Sequence, residues 1–210
     1  MSSLMKRITQ GALPFALAAG LLFPIHADAV TPFLQRQATQ WGYVYGGPNT
    51  KDAQSPRDKV AHIEAKSKFI VNYKNFPDWA KKDFQSAVDV WAANFLSSVP
   101  ITIDATWGRI GSFGVLGSAR PGSYFSGFDG SPDSSLWYPS ALANALAGKD
   151  LDNRQSEIVI QVNSNASWNT RNDGLSHINE YDLESVFIHE IGHGLGFLSN
   201  DAYDPFFGLG

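Results

Sequence analysis

Two histidines and a glutamate stand together late in the sequence, as His189-Glu190-Ile191-Gly192-His193. Side chains four residues apart on a helix lie within ~40° of one another around its axis. His189 and His193 can therefore grip one ion from a single face, and neutral imidazole nitrogen suits zinc. Glu190 then sits beside a water held by that ion, where it can act as a general base without ligating the metal.

A helix has to carry these groups, and the flanking residues supply one. With Leu183 at zero and ~100° per residue, Phe187, Ile191, Leu195 and Ile188 fall between ~40° and ~140°, whereas His189 and His193 fall at ~240° and ~280°. This gives a core face and a separate histidine face on a helix running from about residue 182 to 193 or beyond, with Asp182 as N-cap. Upstream, residues 69–73 read as a strand. Pro77 and Asp78 open a helix over 77–98, in which Ala80, Phe84, Ala87, Val88, Trp91 and Phe95 form one apolar stripe. Residues 101–107 alternate as a strand, and 157–162 form the clearest strand of the chain. A short alanine-rich helix spans 140–147 and stops at Gly148. Gly108, Gly111, Gly114 and Gly117 predict a loop with close backbone contacts, and residues 118–138 continue it. Residues 163–179 form a polar loop with one glycosylation sequon at Asn165, and residues 30–66 read as an irregular lead-in or pro-like segment.

On these residues the sequence resembles the zincin metallopeptidases. His189 to His193 matches their core motif, and Gly194-Leu195-Gly196-Phe197 extends the likeness towards metzincins, which place a glycine three residues after the second histidine. The order of strand, long helix, strand, strand and active-site helix is similar too, so the resemblance covers roughly residues 67–199. It implies an α+β fold: a mixed twisted sheet, a long helix in the N-terminal subdomain and the active-site helix. It also implies a zinc-bound water as nucleophile. In such peptidases the strand ahead of the active-site helix often pairs with an extended substrate, which here is 157–162.

The third ligand departs from the family pattern. The metzincin position for a third histidine is occupied by Ser199, no glutamate follows Glu190, and no methionine follows Met5. Asp204 is the candidate, with Asp201 and the more distant His177 as alternatives, and a ligand outside this chain is a further one, because a catalytic zinc needs three protein ligands. His62 reads as an ordinary surface residue. Seventeen residues follow His193, where zincins place a C-terminal subdomain, so the expectation is a chain lacking most of that part.

Composition narrows the rest. The 210 residues carry a formal net charge of -4, which leaves no electrostatic footprint for nucleic acid. The absence of cysteine excludes disulfides, thiolate ligands and a cysteine nucleophile. Lys6 and Arg7, the apolar run from Gly11 to Phe23 and Ala27-Asp28-Ala29 read as a secretory signal over 1–29, with the run too short for a membrane anchor. Asp150 and Asp152 read as solvated turn carboxylates, and Tyr124, Phe125, Phe128, Trp137 and Tyr138 as buried aromatics that could instead line a cleft. The expected protein is a secreted or periplasmic zinc metalloendopeptidase over 67–210 acting on a protein or peptide. The alternative is a non-catalytic exported protein of the same fold that binds such a ligand. Metal retention separates the two.

Overall fold

The computed structural model describes residues 33–46, 64–171 and 179–198, all within one unit, Thr31–Gly210. The predicted signal over 1–29 lies outside the described residues, as do 47–63, 172–178 and 199–210.

A β-α-β crossover begins the fold. Strand β3 (Phe69–Lys74) alternates half-buried and exposed side chains, and strand β4 (Ile101–Gly108) pairs with it in parallel, Phe69 opposite Ile101. Between them helix α1 (Asp78–Asn94) buries Ala80, Phe84, Ala87 and Val88 at helical spacing. It ends four residues before the expected Ser98. The Ser97 hydroxyl donates to the Val99 carbonyl at 2.7 Å and accepts from the Val99 N–H at 3.1 Å, so a local turn outcompetes the helix ahead of Pro100.

Strand β8 (Ile158–Asn163) lies inside a five-stranded mixed sheet. It is parallel to β4 on one side and antiparallel to β5 (Val115–Pro121) on the other, and Ile158, Ile160 and Val162 are fully buried. With both edges bonded, β8 has none left for a substrate, which corrects that expectation. The edge strand on this side is β2 (Gly42–Tyr45), antiparallel to β5, giving the order β2-β5-β8-β4-β3. A second sheet joins β1 (Leu34–Gln37), β6 (Ser123–Ser126) and β7 (Tyr138–Pro139). Helix α2 (Ser140–Ala147) follows and ends at Gly148 with φ 64.

Two expectations are therefore corrected. The stretch predicted as loop across 108–138 contains β5 and β6, and the irregular lead-in contains β1 and β2. In the middle of β5 three successive buried residues are small, Gly117, Ser118 and Ala119, and at Gly117 helix α3 (Leu183–Leu195) comes close enough that a Cβ would meet Glu190. Close approach selects the same small residues that turns do. The helix also rests on β8 at Gly194, where a Cβ would overlap Ile158. An aromatic cluster fills the core beneath α1 and α3, with the Phe84 and Phe187 rings 4.6 Å apart and Phe76 against both. Among the described residues the protein is thus α+β, with two sheets and three helices.

Candidate metal centre

Helix α3 begins as predicted. The Asp182 carboxylate accepts from the Ser185 N–H at 3.0 Å and from its hydroxyl at 2.7 Å. The apolar stripe points inward, with Phe187 and Ile191 fully buried. From the other side the Trp91 indole N–H donates to the Ile188 carbonyl at 2.9 Å, and Gly192 leaves room for that ring.

The other end of the helix is built around Gly196, whose φ of 110 suits glycine. The Gly196 N–H donates to the His193 carbonyl and the Phe197 N–H to the Gly192 carbonyl, both at 3.0 Å. This closing turn brings the Phe197 carbonyl oxygen to 2.6 Å from Nδ1 of His193. A carbonyl can only accept, so Nδ1 carries the proton in this contact, and in the neutral ring Nε2 is the nitrogen that keeps its lone pair. Nε2 is buried and has no hydrogen-bond partner.

His189 stands beside it, the two rings perpendicular with centroids 4.4 Å apart. His189 is the exposed member of the pair. Even so, the protein packed round it, and then the neighbouring His193, hold its pKa below the ordinary value, favouring the neutral form that ligates metals. The pair thus offers what a metal needs from two ligands: one buried free nitrogen held in the right tautomer, and a second imidazole on the same helix face.

Glu190 is fully buried, and neither carboxylate oxygen has a hydrogen-bond partner. Burial pushes its pKa up to about 9. The Val44 backbone N–H acts the other way, towards ionisation, without reaching full hydrogen-bond geometry. Gly117 makes the space, since a Cβ there would stand 2.8 Å from Oε1. Val44 and Gly117 face each other across the β2–β5 ladder, so the carboxyl is enclosed between two strands and its own helix.

Sequence reasoning missed the groups that surround the motif. Gly42 on β2 lies against the His193 ring, where a Cβ would overlap its carbons, and Gly46 lies as close to the Tyr181 ring. The alternation Trp41-Gly42-Tyr43-Val44-Tyr45-Gly46 was the available signal, because glycine at every other small position of a strand marks a close approach. Among the described residues no group of three His, Cys, Asp or Glu side chains gathers for a metal. Asp204, Asp201, Ser199, His177 and His62 lie outside the described residues.

Of the aromatics expected to be buried, two are buried and Tyr124, Trp137 and Tyr138 are half-buried. Phe125 and Phe128 are buried in a small second core. Tyr124 and Trp137 pack on the Arg36 guanidinium, 5.2 and 4.4 Å from their ring centroids. Asp150 and Asp152 organise the turn before β8. Asp150 accepts from the Asp152 N–H at 3.0 Å, and Asp152 accepts from Arg154 and from Gln35 of β1.

Comparison of the chain with protein-family models, with curated proteins and with solved structures gives no match. The functional reading therefore rests on the geometry of α3 and the strands against it.

Proposed function

We propose that the chain is a secreted zinc-dependent metalloendopeptidase with a zincin-like fold, in which His189 and His193 hold the ion and Asp204 is the candidate third ligand. The observation that carries this reading is the buried, partnerless Nε2 of His193, with the proton held on Nδ1 by the Phe197 carbonyl, one helical turn from His189. Zinc, when bound, polarises a carbonyl and lowers the pKa of a water. With the ion held by His189 and His193, Glu190 would be the group that accepts a proton from the attacking water and returns it to the leaving amine. The Phe197 carbonyl keeps His193 oriented throughout.

A non-catalytic exported protein that binds a peptide is the second reading, favoured by the complete enclosure of Glu190. Zinc analysis after dialysis, with casein hydrolysis measured before and after cleavage of the chain between residues 46 and 66, separates the two. The peptidase should retain about one zinc per chain and His193→Ala should lose it. Glu190→Gln should keep the zinc and lose hydrolysis. Casein cut by Glu190→Gln at the parent's rate would show that Glu190 is not the base.

A further inference from the structure

We propose that Trp91 of α1 is a positioning residue for the metal centre. Its indole braces α3 just ahead of each histidine and braces the closing turn beyond them, and so keeps the Phe197 carbonyl on the His193 ring. This rests on the metal-binding reading for its affinity arm, and on geometry alone for its tautomer arm.

The closing turn is the starting point. The Phe197 carbonyl oxygen fixes the His193 tautomer, yet the Phe197 side chain is 67% exposed. A chain segment with few buried contacts opens readily, so something has to hold this turn. The Phe197 ring lies against Trp91, with centroids 5.7 Å apart and planes tilted by 31°. The same indole covers Gly192, where a Cβ would stand 3.3 Å from Cζ2. Its N–H donates to the Ile188 carbonyl at 2.9 Å. Ile188 immediately precedes His189, and Gly192 immediately precedes His193. One side chain from another helix thus touches the backbone ahead of both imidazoles and the residue that orients the second.

Burial alone does not ask for tryptophan here. Ala80, Phe84, Ala87 and Val88 of the α1 stripe are apolar and buried in the main core. Trp91 continues their spacing but is only half-buried, and it carries a polar handle that is directed onto the neighbouring helix. A helix carbonyl accepts from the N–H four residues on and keeps a second lone pair. The indole takes that lone pair on Ile188, which resists rotation of α3 about its own axis. Such rotation would swing both imidazoles, because they share one face. At the far end the ring face holds Phe197 in place.

The test measures zinc affinity by chelator competition. In the metal-free full chain, at a pH where the rings are neutral, it also reads the His193 tautomer by nitrogen-15 NMR. Trp91→Leu keeps an apolar side chain and removes both the ring face and the N–H. It should bind zinc at least tenfold more weakly, the lower end of the usual effect of losing a supporting contact. Its His193 should also lose the fixed Nδ1–H form. Trp91→Phe returns a ring to Phe197 and should recover most of both. Phe84→Leu is the control for stability, because Phe84 packs on Phe76 and Phe187. It should unfold at lower urea while its zinc affinity stays within about threefold of the parent. Phe197→Ala changes an exposed residue, so it decides if the Trp91 variants fail to fold. It should weaken zinc binding and release the tautomer, and the double variant should lose no more than Trp91→Leu alone. An unchanged His193 tautomer in Trp91→Leu, or in Phe197→Ala, overturns the proposal whatever the zinc affinity. Equal zinc losses in Trp91→Leu and Phe84→Leu, or fully additive losses in the double variant, overturn it too. If the parent retains no zinc, the metal reading fails and the tautomer alone decides. A mixed tautomer in Trp91→Leu then upholds the brace.

Discussion

The Nδ1 atom of His193 lies 2.6 Å from the carbonyl oxygen of Phe197, and this contact decides which ring nitrogen is left for a metal. The carbonyl is there only because the chain reverses at Gly196. A glycine three residues past the second histidine thus has a mechanical role: it turns the backbone back onto the ring it must orient.

Gly196→Ala should break that relationship. A non-glycine residue held at positive φ costs about 1–3 kcal/mol, and the new Cβ would stand 2.6 Å from Cγ of Pro139. Relaxation moves the Phe197 carbonyl away from His193. Loss of such a supporting contact typically lowers metal affinity about 10–100-fold. Gly148→Ala is the control, since Gly148 also has positive φ but has open space around it. Competition with a chelator reads both. Equal zinc affinity in the two variants would show that the contact does not tune the site.

Gly117→Ala addresses the other side of the motif. Its Cβ would meet Oε1 of Glu190 at 2.8 Å and Cγ and Cδ at 3.2 Å, and the carboxyl is fully buried. Overpacking of this kind costs about 1–3 kcal/mol. The expected variant keeps its zinc, unfolds at lower urea, and loses at least tenfold in peptidase rate. Gly108→Ala, with nothing near the added carbon, should stay within about half a kcal/mol of the parent. A Gly117→Ala protein of parental stability and activity would mean that Glu190 has more freedom than its surroundings imply.

Much of α3 was legible because its determinants are local. The Asp182 cap, the stripe of Phe187, Ile191 and Leu195, and the two histidines on another face all follow from helical spacing. The same holds for β3, β4, β8 and α2, whose apolar patterns match their elements. Strand β5 was not legible, because its Gly117, which reads as a loop residue, is small to admit Glu190, a requirement set over 70 positions away. Nor were β1 and β2, whose pairing depends on a partner that itself read as loop. The motif itself was legible, but the enclosure of Glu190 by Val44 and Gly117 is a tertiary fact with no local sequence signature.

Glu190 should weaken the metal-free protein it serves. Its carboxyl is fully buried with no hydrogen-bond partner on either oxygen, and an unsatisfied buried polar group costs about 1–3 kcal/mol. Replacement by an apolar side chain of similar length removes that cost. Glu190→Leu, stripped of metal, should therefore unfold at higher urea than the stripped parent while losing peptidase activity. Urea titrations of the two metal-free proteins check this. A less stable Glu190→Leu would mean that the carboxyl is satisfied in solution.

Asp152 gives the lead-in an acid dependence with a definite sign. Its side chain is only 5% exposed and accepts from Arg154 Nε at 2.8 Å, from Gln35 Nε2 at 2.6 Å and from Gln155 Nε2 at 3.2 Å, while its own N–H donates to Asp150. The bond from Arg154 first, and that from Gln35 second, hold its pKa well below the usual carboxylate range. A folded-state pKa depressed in this way adds stability that is fully present above the unfolded value of about 3.9 and is lost as pH falls towards the folded value. The parent should therefore exceed Asp152→Asn in urea midpoint by its full margin at neutral pH. The margin should narrow steadily below about pH 4, where the unfolded chain begins to bind the proton. Gln35 belongs to β1, so amide protection along 34–37 should fall over the same range in the parent. A margin that stays constant down to strong acid would show that the ionised carboxylate is not what holds this turn to the lead-in.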